Sequence, residues 1–223
     1  SIAWDDPNPL VSVRIASYQN TEALVDRAIA SVLNQTHSNW ELIVVNDGPN
    51  DRTRQAIESL GDSRIRYEEF QERSKYPADA HLRWMVAGSP GMNRGANLAL
   101  GKWIAPLDDD DEFEPHHIES LLTLARTERA EFAYGAIAQV RVLSDEQVRI
   151  FSDPPAAGQI SMQASIYHSG LRFMNYDTES WRVDEPGDWN LIRRMMDVGV
   201  RMAATEEYVT TVHMIPFDRK PEN

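Results

Sequence analysis

Between Leu10 and Glu128 the chain alternates four times between strand-length apolar runs and stretches with helical spacing. This alternation constrains the fold more than any other feature. "LVSVRIASY" is a β-branched run that ends in small and polar residues at Ala16 and Ser17, and it reads as a first strand. "TEALVDRAIASVLNQ" follows with Leu24, Val25, Ala28, Ile29, Val32 and Leu33 at helical spacing and Thr21 placed to cap. "WELIVVNDG" is continuously apolar until its polar turn, as a central parallel strand buried on both faces should be. A short helix, "DRTRQAIESLG", and a more polar strand, "RIRYEEF", come next. Residues 71–92 are long and polar for a connection, the kind that is functional or hides a short helix. "NRGANLALG" reads as a helix and "KWIAPL" as a strand. "PHHIESLLTLARTE" is a helix with Pro115 near its start and Ile118, Leu121, Leu122 and Ala125 on one face. The β-α-β-α-β-α-β-α order predicts an α/β fold, a mostly parallel sheet flanked by helices. Ligands of such sheets sit outside the carboxyl ends of the strands.

The second half is less regular. "AEFAYGAIAQVRVL" reads as one or two strands, "EPGDWNLIRRMMDVGV" as a helix with Trp189, Ile192, Met195 and Met196 at apolar spacing, and "EEYVTTVHMI" as a last strand. Strands without alternating helices predict a smaller mixed-sheet region. Residues 1–8 read as a linker, 9–215 as one domain with halves 9–111 and 112–215, and 216–223 as a tail.

The acidic run "APLDDDDEFEP" demands a reason. Asp108, Asp109, Asp110 and Asp111 follow an apolar strand directly, and like charges so close raise one another's pKa. One helix N-terminus needs fewer carboxylates. A hard dication explains them better, because Mg²⁺ takes one or two carboxylates plus phosphate oxygens and Mn²⁺ accepts the same ligands. An EF-hand would use Asp108, Asp110, Glu112 and Glu119, but Phe113 stands where Gly is required and Pro115 sits inside the loop.

Composition narrows the partners. With 22 basic against 35 acidic residues the net charge is −13, which opposes non-specific binding to nucleic acid or anionic membrane. Cysteine is absent, so no disulfide or thiolate metal site exists, in keeping with a cytoplasmic setting, peripheral to a membrane at most. No apolar run approaches the roughly 18 residues of a membrane span.

Four segments, "VSVRIASYQN", "AIASVLNQTHSNWELIVVNDG", "GMNRGANLALGKWIAPLDDDDEFEP" and "GDWNLIRRM", resemble in order and spacing the family 2 glycosyltransferases of the GT-A fold. The likeness covers about residues 9–215. It implies an inverting transfer of a sugar from a nucleotide-diphospho-sugar, a UDP-sugar before a GDP- or dTDP-sugar, to a saccharide or other hydroxyl-bearing acceptor. It further implies Mn²⁺ or Mg²⁺ as cofactor, with Asp108-Asp109-Asp110 as the DxD motif. Asp110, Asp108 and a late His213 would hold the metal, and Asp109 would touch ribose or metal. Ala16, Ser17 and Tyr18 match the stretch against the base, with the family's Pro and Asn replaced. Asp47 matches the second of the family's paired Asp residues, Asn46 standing at the first. Asn93 matches the Asn of an Arg-Asn helix in which Met92 stands for the Arg; Arg94 is available to the diphosphate or, as the plainer reading, to solvent. Asp188 matches the family's catalytic base, with Glu185 as its neighbour. His81, Trp84, Tyr167 and Trp181 are available to an acceptor cleft or to the core.

Two rivals stand beside this reading. A nucleotidyltransferase would carry a Gly-rich basic loop after the first strand, and "IASYQNTEAL" has none. A nucleotide-sugar or glycan binding module without turnover is compatible with the replaced donor-motif residues.

Overall fold

A computed structural model describes residues 4–141 and 146–214. The expected tail, 216–223, lies outside the described residues, as do 1–3 and 142–145. Nine strands form one mixed sheet in the order β3-β2-β1-β4-β8-β6-β9-β5, with β7 paired to β6. The parallel part is β1 (Val11–Ser17), β2 (Trp40–Asn46), β3 (Ile65–Glu69) and β4 (Trp103–Asp108). The mixed part is β5 (Glu112–Phe113), β6 (Phe132–Arg141), β7 (Glu146–Ile150), β8 (Ser165–His168) and β9 (Met202–Met214). β8 runs antiparallel to both β4 and β6, β9 lies parallel to β6, and β5 and β7 close antiparallel edges.

The period-2 pattern of β1 explains its position. Val11, Val13 and Ile15 enter one core with Leu24, Ala28, Ile29 and Val32 of helix 21–33 and with Ile118, Leu121 and Leu122 of helix His117–Glu128. Ser12, Arg14 and Ala16 face the opposite side. There Ile43, Val45 and Ile104 meet Ala96 of helix Ser89–Leu98 and Leu191, Ile192 and Met195 of helix Gly187–Asp197. Helix Ser89–Leu98 sits close on β1 because a Cβ at Gly91 would fall 2.9 Å from the Ala16 Cβ.

Three sequence expectations change in detail. Thr21 is not a cap: its hydroxyl lies 2.7 Å from that of Thr53, a tertiary contact that local spacing does not reveal. The long connection after β3 holds helix Ala80–Val86, capped by Asp79. Trp4, within the expected linker, donates its indole N–H to Ala130 O at 2.8 Å and stacks on His168. Among the described residues no helix is long and apolar enough to cross a membrane.

Candidate active site

β1 is flanked by β2 on one side and β4 on the other, so strand order reverses there and a crevice opens at the carboxyl ends. Ser17, the last residue of β1, ties the two sides of that mouth together. Its carbonyl accepts from Asp47 N at 2.8 Å, and its hydroxyl donates to Asp109 Oδ2 at 2.6 Å.

On the β2 side Asp47 is buried, and each carboxylate oxygen accepts one hydrogen bond. Ser74 N donates to Oδ1 at 2.8 Å and the Tyr76 hydroxyl donates to Oδ2 at 2.6 Å. Arg73 lies 4.0 Å from the ring centre of Tyr18. A hollow of about 180 Å³ beside them is lined by Arg73, Ser74, Tyr76, Pro77, Ala78 and Arg83. The connection between β3 and helix Ala80–Val86 therefore builds this side.

On the β4 side the chain enters the acidic run from a strand, not from the helix an EF-hand requires. The four carboxylates then diverge. Asp109 turns to β1 and accepts from Ser17 and from Asn20 Nδ2 at 3.1 Å, yet burial and then Asp110 push its pKa to about 6. Asp111 is buried and accepts from Gln163 Nε2 and His213 N, both at 2.8 Å. Burial and Asp110 push it to about 7. Asp108 is pushed well up by burial and next by the charge of Asp188, with Asp111, Asp110 and Asp109 adding to it. Arg27 Nη1 donates to the backbone oxygen of Asp110 at 2.5 Å.

Helix Gly187–Asp197 delivers Asp188 to the same mouth in its first turn. Asp188 Oδ2 accepts from Met162 N at 2.9 Å and from the Ser161 hydroxyl. Ser161 also touches Gln163 Oε1, and a single hydroxyl hydrogen favours the charged acceptor. Asp188 Oδ1 accepts from the Tyr176 hydroxyl at 3.0 Å. A carboxylate oxygen has two lone pairs. Among the described residues Oδ2 has two donors and Oδ1 has one, so Oδ1 keeps a place for a further proton donor.

The remaining expected residues fall as follows. Ala16 pairs with Val45 and Asp108 across the sheet. Asn93 spends its amide on the backbone of Tyr176: Tyr176 N donates to Oδ1 at 2.8 Å and Nδ2 donates to Tyr176 O at 3.0 Å. His213 sets its ring on Glu112, Nε2 to Oε1 at 2.8 Å. Arg94 reaches Glu68 at 3.6 Å on the surface. Glu185 is held by Arg193 and Asn190, and the Arg193 hydrogen bond lowers its pKa. Tyr167 is buried, while Trp84 is exposed and stacks with His81. Trp181 lies under Arg182.

Among the described residues no three His, Asp or Glu side chains converge as a metal cage. The donor set nevertheless fits Mg²⁺ or Mn²⁺, which needs only one or two carboxylates when phosphate oxygens complete the shell. Burial, and after it the repulsion of neighbouring carboxylates, raises Asp108, Asp109 and Asp111, and a dication would offset both. Sequence reasoning passed over Tyr76, Ser161, Gln163 and Tyr176, none of which carries a local signal. It also passed over Arg14, which did: a charge inside an apolar strand run.

The fold and sequence agree with known proteins. Staphylococcus aureus TarS 1-349 in complex with UDP-GlcNAc superposes with a TM-score of 0.71 at 14% identity, over 95% of this chain and 61% of that one. The mannosyltransferase PcManGT of Pyrobaculum calidifontis, solved with GDP-Man and Mn²⁺, gives 0.64 at 14% identity over 92% and 56%. Both likenesses establish the GT-A fold. In sequence, the Escherichia coli UDP-Glc:alpha-D-GlcNAc-diphosphoundecaprenol beta-1,3-glucosyltransferase WfgD is 34% identical over 56% of this chain and 45% of its own length. The succinoglycan biosynthesis protein ExoO of Rhizobium meliloti is 30% identical over 68% and 40%. The chain thus spans less than half the length of these relatives. The model of the family described as Glycosyl transferase family 2 matches residues 12–178, and the chain belongs to that family.

Proposed function

We propose that this chain is the catalytic domain of an inverting glycosyltransferase that uses a nucleotide-diphospho-sugar and a dication. The observation that carries the reading is the meeting of Asp188 with the Asp108–Asp111 run at the mouth beside β1, with one Asp188 oxygen left open to a proton donor. Asp188 Oδ1 takes the proton of an acceptor hydroxyl, whose oxygen bonds to the anomeric carbon from the face opposite the diphosphate. The bond from that carbon to the diphosphate breaks, and the nucleoside diphosphate leaves with the electron pair. Asp108 and Asp110 would hold Mg²⁺ or Mn²⁺, which supplies charge neutralisation to the diphosphate as it leaves. Asp109, which accepts from Ser17, would touch the ribose or the metal, and His213, whose ring lies on Glu112 next to the run, is the further candidate ligand.

The base would lie between Tyr18 and Asp47, with Ala16 and Ser17 beneath it. Arg73 and Arg83 add positive charge along the hollow next to them. Asn93 contributes through Tyr176. A UDP-sugar is the favoured donor, in line with the Escherichia coli relative named for UDP-Glc, with GDP- and dTDP-sugars as alternatives. The acceptor is a saccharide or another hydroxyl-bearing molecule.

The test is nucleoside diphosphate release from UDP-glucose, UDP-GlcNAc and GDP-mannose with Mn²⁺, alongside thermal stabilisation by UDP and GDP. Asp188→Asn should lower turnover roughly 10²–10⁴-fold, the usual share of a general base, and leave nucleotide binding intact. Wild-type turnover in that variant removes Asp188 from the role. Stabilisation without release of any nucleotide turns the reading to a binding module.

A further inference from the structure

Arg14 has no part in the site as described so far. It lies inside β1, a strand paired on both sides, and is only 1% exposed. A guanidinium stays charged in a protein, so burying one is costly unless it is partnered. Among the described residues no carboxylate pairs with it, and its Nε has no hydrogen-bond partner. A valine or isoleucine at this position would suit a buried strand without that cost.

The surroundings are shaped around the charge. A Cβ at Gly95 would come 3.1 Å from the Arg14 Cβ and 3.5 Å from its Cδ, so glycine there leaves room for the side chain. Arg14 Nη1 donates to Met92 Sδ, and Nη2 donates to the Tyr176 hydroxyl at 3.4 Å. The guanidinium carbon lies 5.2 Å from the Tyr176 ring centre. Burial and the Asp188 charge keep the Tyr176 phenol protonated, so its one hydrogen goes to Asp188 Oδ1. Asn93 clamps the backbone of the same tyrosine at both N–H and C=O. Tyr176 is therefore fixed at backbone, ring and hydroxyl. Its hydroxyl rests on the Asp188 oxygen that keeps an open lone pair. A cation bound to the phenol oxygen also polarises the O–H toward the carboxylate.

We propose that Tyr176, backed by the buried Arg14, is the positioning residue that aims Asp188 Oδ1 at the acceptor. The proposal rests on Asp188 being the base. Arg14 acts on Asp188 only through Tyr176, and from the core side of the sheet.

The test uses the full chain, Mn²⁺ and whichever of UDP-glucose, UDP-GlcNAc and GDP-mannose is turned over fastest. Tyr176→Phe keeps the ring and removes the hydroxyl. Its kcat should fall roughly ten- to a hundredfold, as misplacement of a reacting group does, while donor KM stays within about twofold. Arg14→Met should act in the same direction. Adding Met92→Arg to Arg14→Met returns a guanidinium to the same contact from the helix, and should recover most of the lost kcat. Wild-type kcat in Tyr176→Phe, with Asp188→Asn inactive, overturns the proposal and spares the base assignment. An active Asp188→Asn overturns the base assignment, and the proposal with it. Failure of the double variant to recover kcat, in a protein that folds and binds donor normally, removes Arg14 from the arrangement. If Arg14→Met does not fold, Tyr176→Phe decides alone.

Discussion

Asp47 and the Asp108–Asp111 run stand at the ends of the two parallel strands that flank β1, share Ser17 as a link, and are treated in opposite ways by the fold. Asp47 is one carboxylate with two neutral donors, Ser74 N and the Tyr76 hydroxyl, one on each oxygen. The run is four carboxylates, and even those with donors remain under strain. Asp109 accepts from Ser17 and Asn20, Asp111 from Gln163 and His213, and still both sit at about 6 and 7. In the run, neutral donors do not offset burial and the mutual repulsion of the carboxylates. The difference assigns the two ends of the mouth to different work: a hydrogen-bonding edge beside β2, and a charge-balancing edge beside β4.

Breaking the second edge should have the largest effect. Asp108→Asn removes the carboxylate that faces Asp188, so nucleotide release with Mn²⁺ should drop by roughly 10²-fold or more if metal assistance is as large as usual. The same variant should melt higher than wild type without metal, because repulsion is relieved. A lower melting temperature in Asp108→Asn would break the comparison. Weakening the first edge should cost stability instead. Tyr76→Phe leaves Asp47 Oδ2 without its donor, and urea unfolding should show a loss of about 1–3 kcal/mol.

The titration of the run sharpens the contrast further. The folded pKa values of Asp109 and Asp111 lie above the ordinary 3.8, so the native state binds protons that the unfolded chain has released. Their stabilising contribution is full below about pH 4 and is lost as pH rises through about 6 to 7. The metal-free protein should therefore melt a few degrees lower at pH 8 than at pH 6, and Mn²⁺ should shrink that difference. A melting temperature that rises over this interval would overturn the charge argument.

A further effect comes from a group of opposite sign. His117 is buried against Phe113, ring centres 3.7 Å apart, and burial pushes its pKa to about 3. Its contribution is present above about pH 6.5 and is lost as pH falls toward 3. His117→Phe should flatten the acid side of the stability profile and leave the alkaline side unchanged, as read by thermal melts across pH.

The parallel half was legible because its strands obey a local rule. Leu42–Val45 is apolar throughout since both faces of β2 are covered, and the acidic run sits where that strand order opens. The mixed half was less so. β9 begins at Met202, ahead of the stretch from Glu206 read as the last strand, because its first residues already pair with β6. Asp188 was found through a motif. The partners that aim it were not, since Ser161 and Tyr176 lie in irregular segments with no period to betray them.

The amino-acid order by itself determined the α/β layering, the strand ends that carry Asp47 and Asp108–Asp111, and the helix start that carries Asp188, because each follows from hydrophobic period and turn chemistry within a short window. Only the tertiary structure decided which carboxylate oxygen stays open and which groups hold it. Arg14, Asn93 and the Tyr176–Asp188 pair are far apart in the chain, and they meet because the sheet closes Gly187–Asp197 over the same face of β1 that Ser89–Leu98 covers. Contacts of that range depend on packing, which no local pattern encodes.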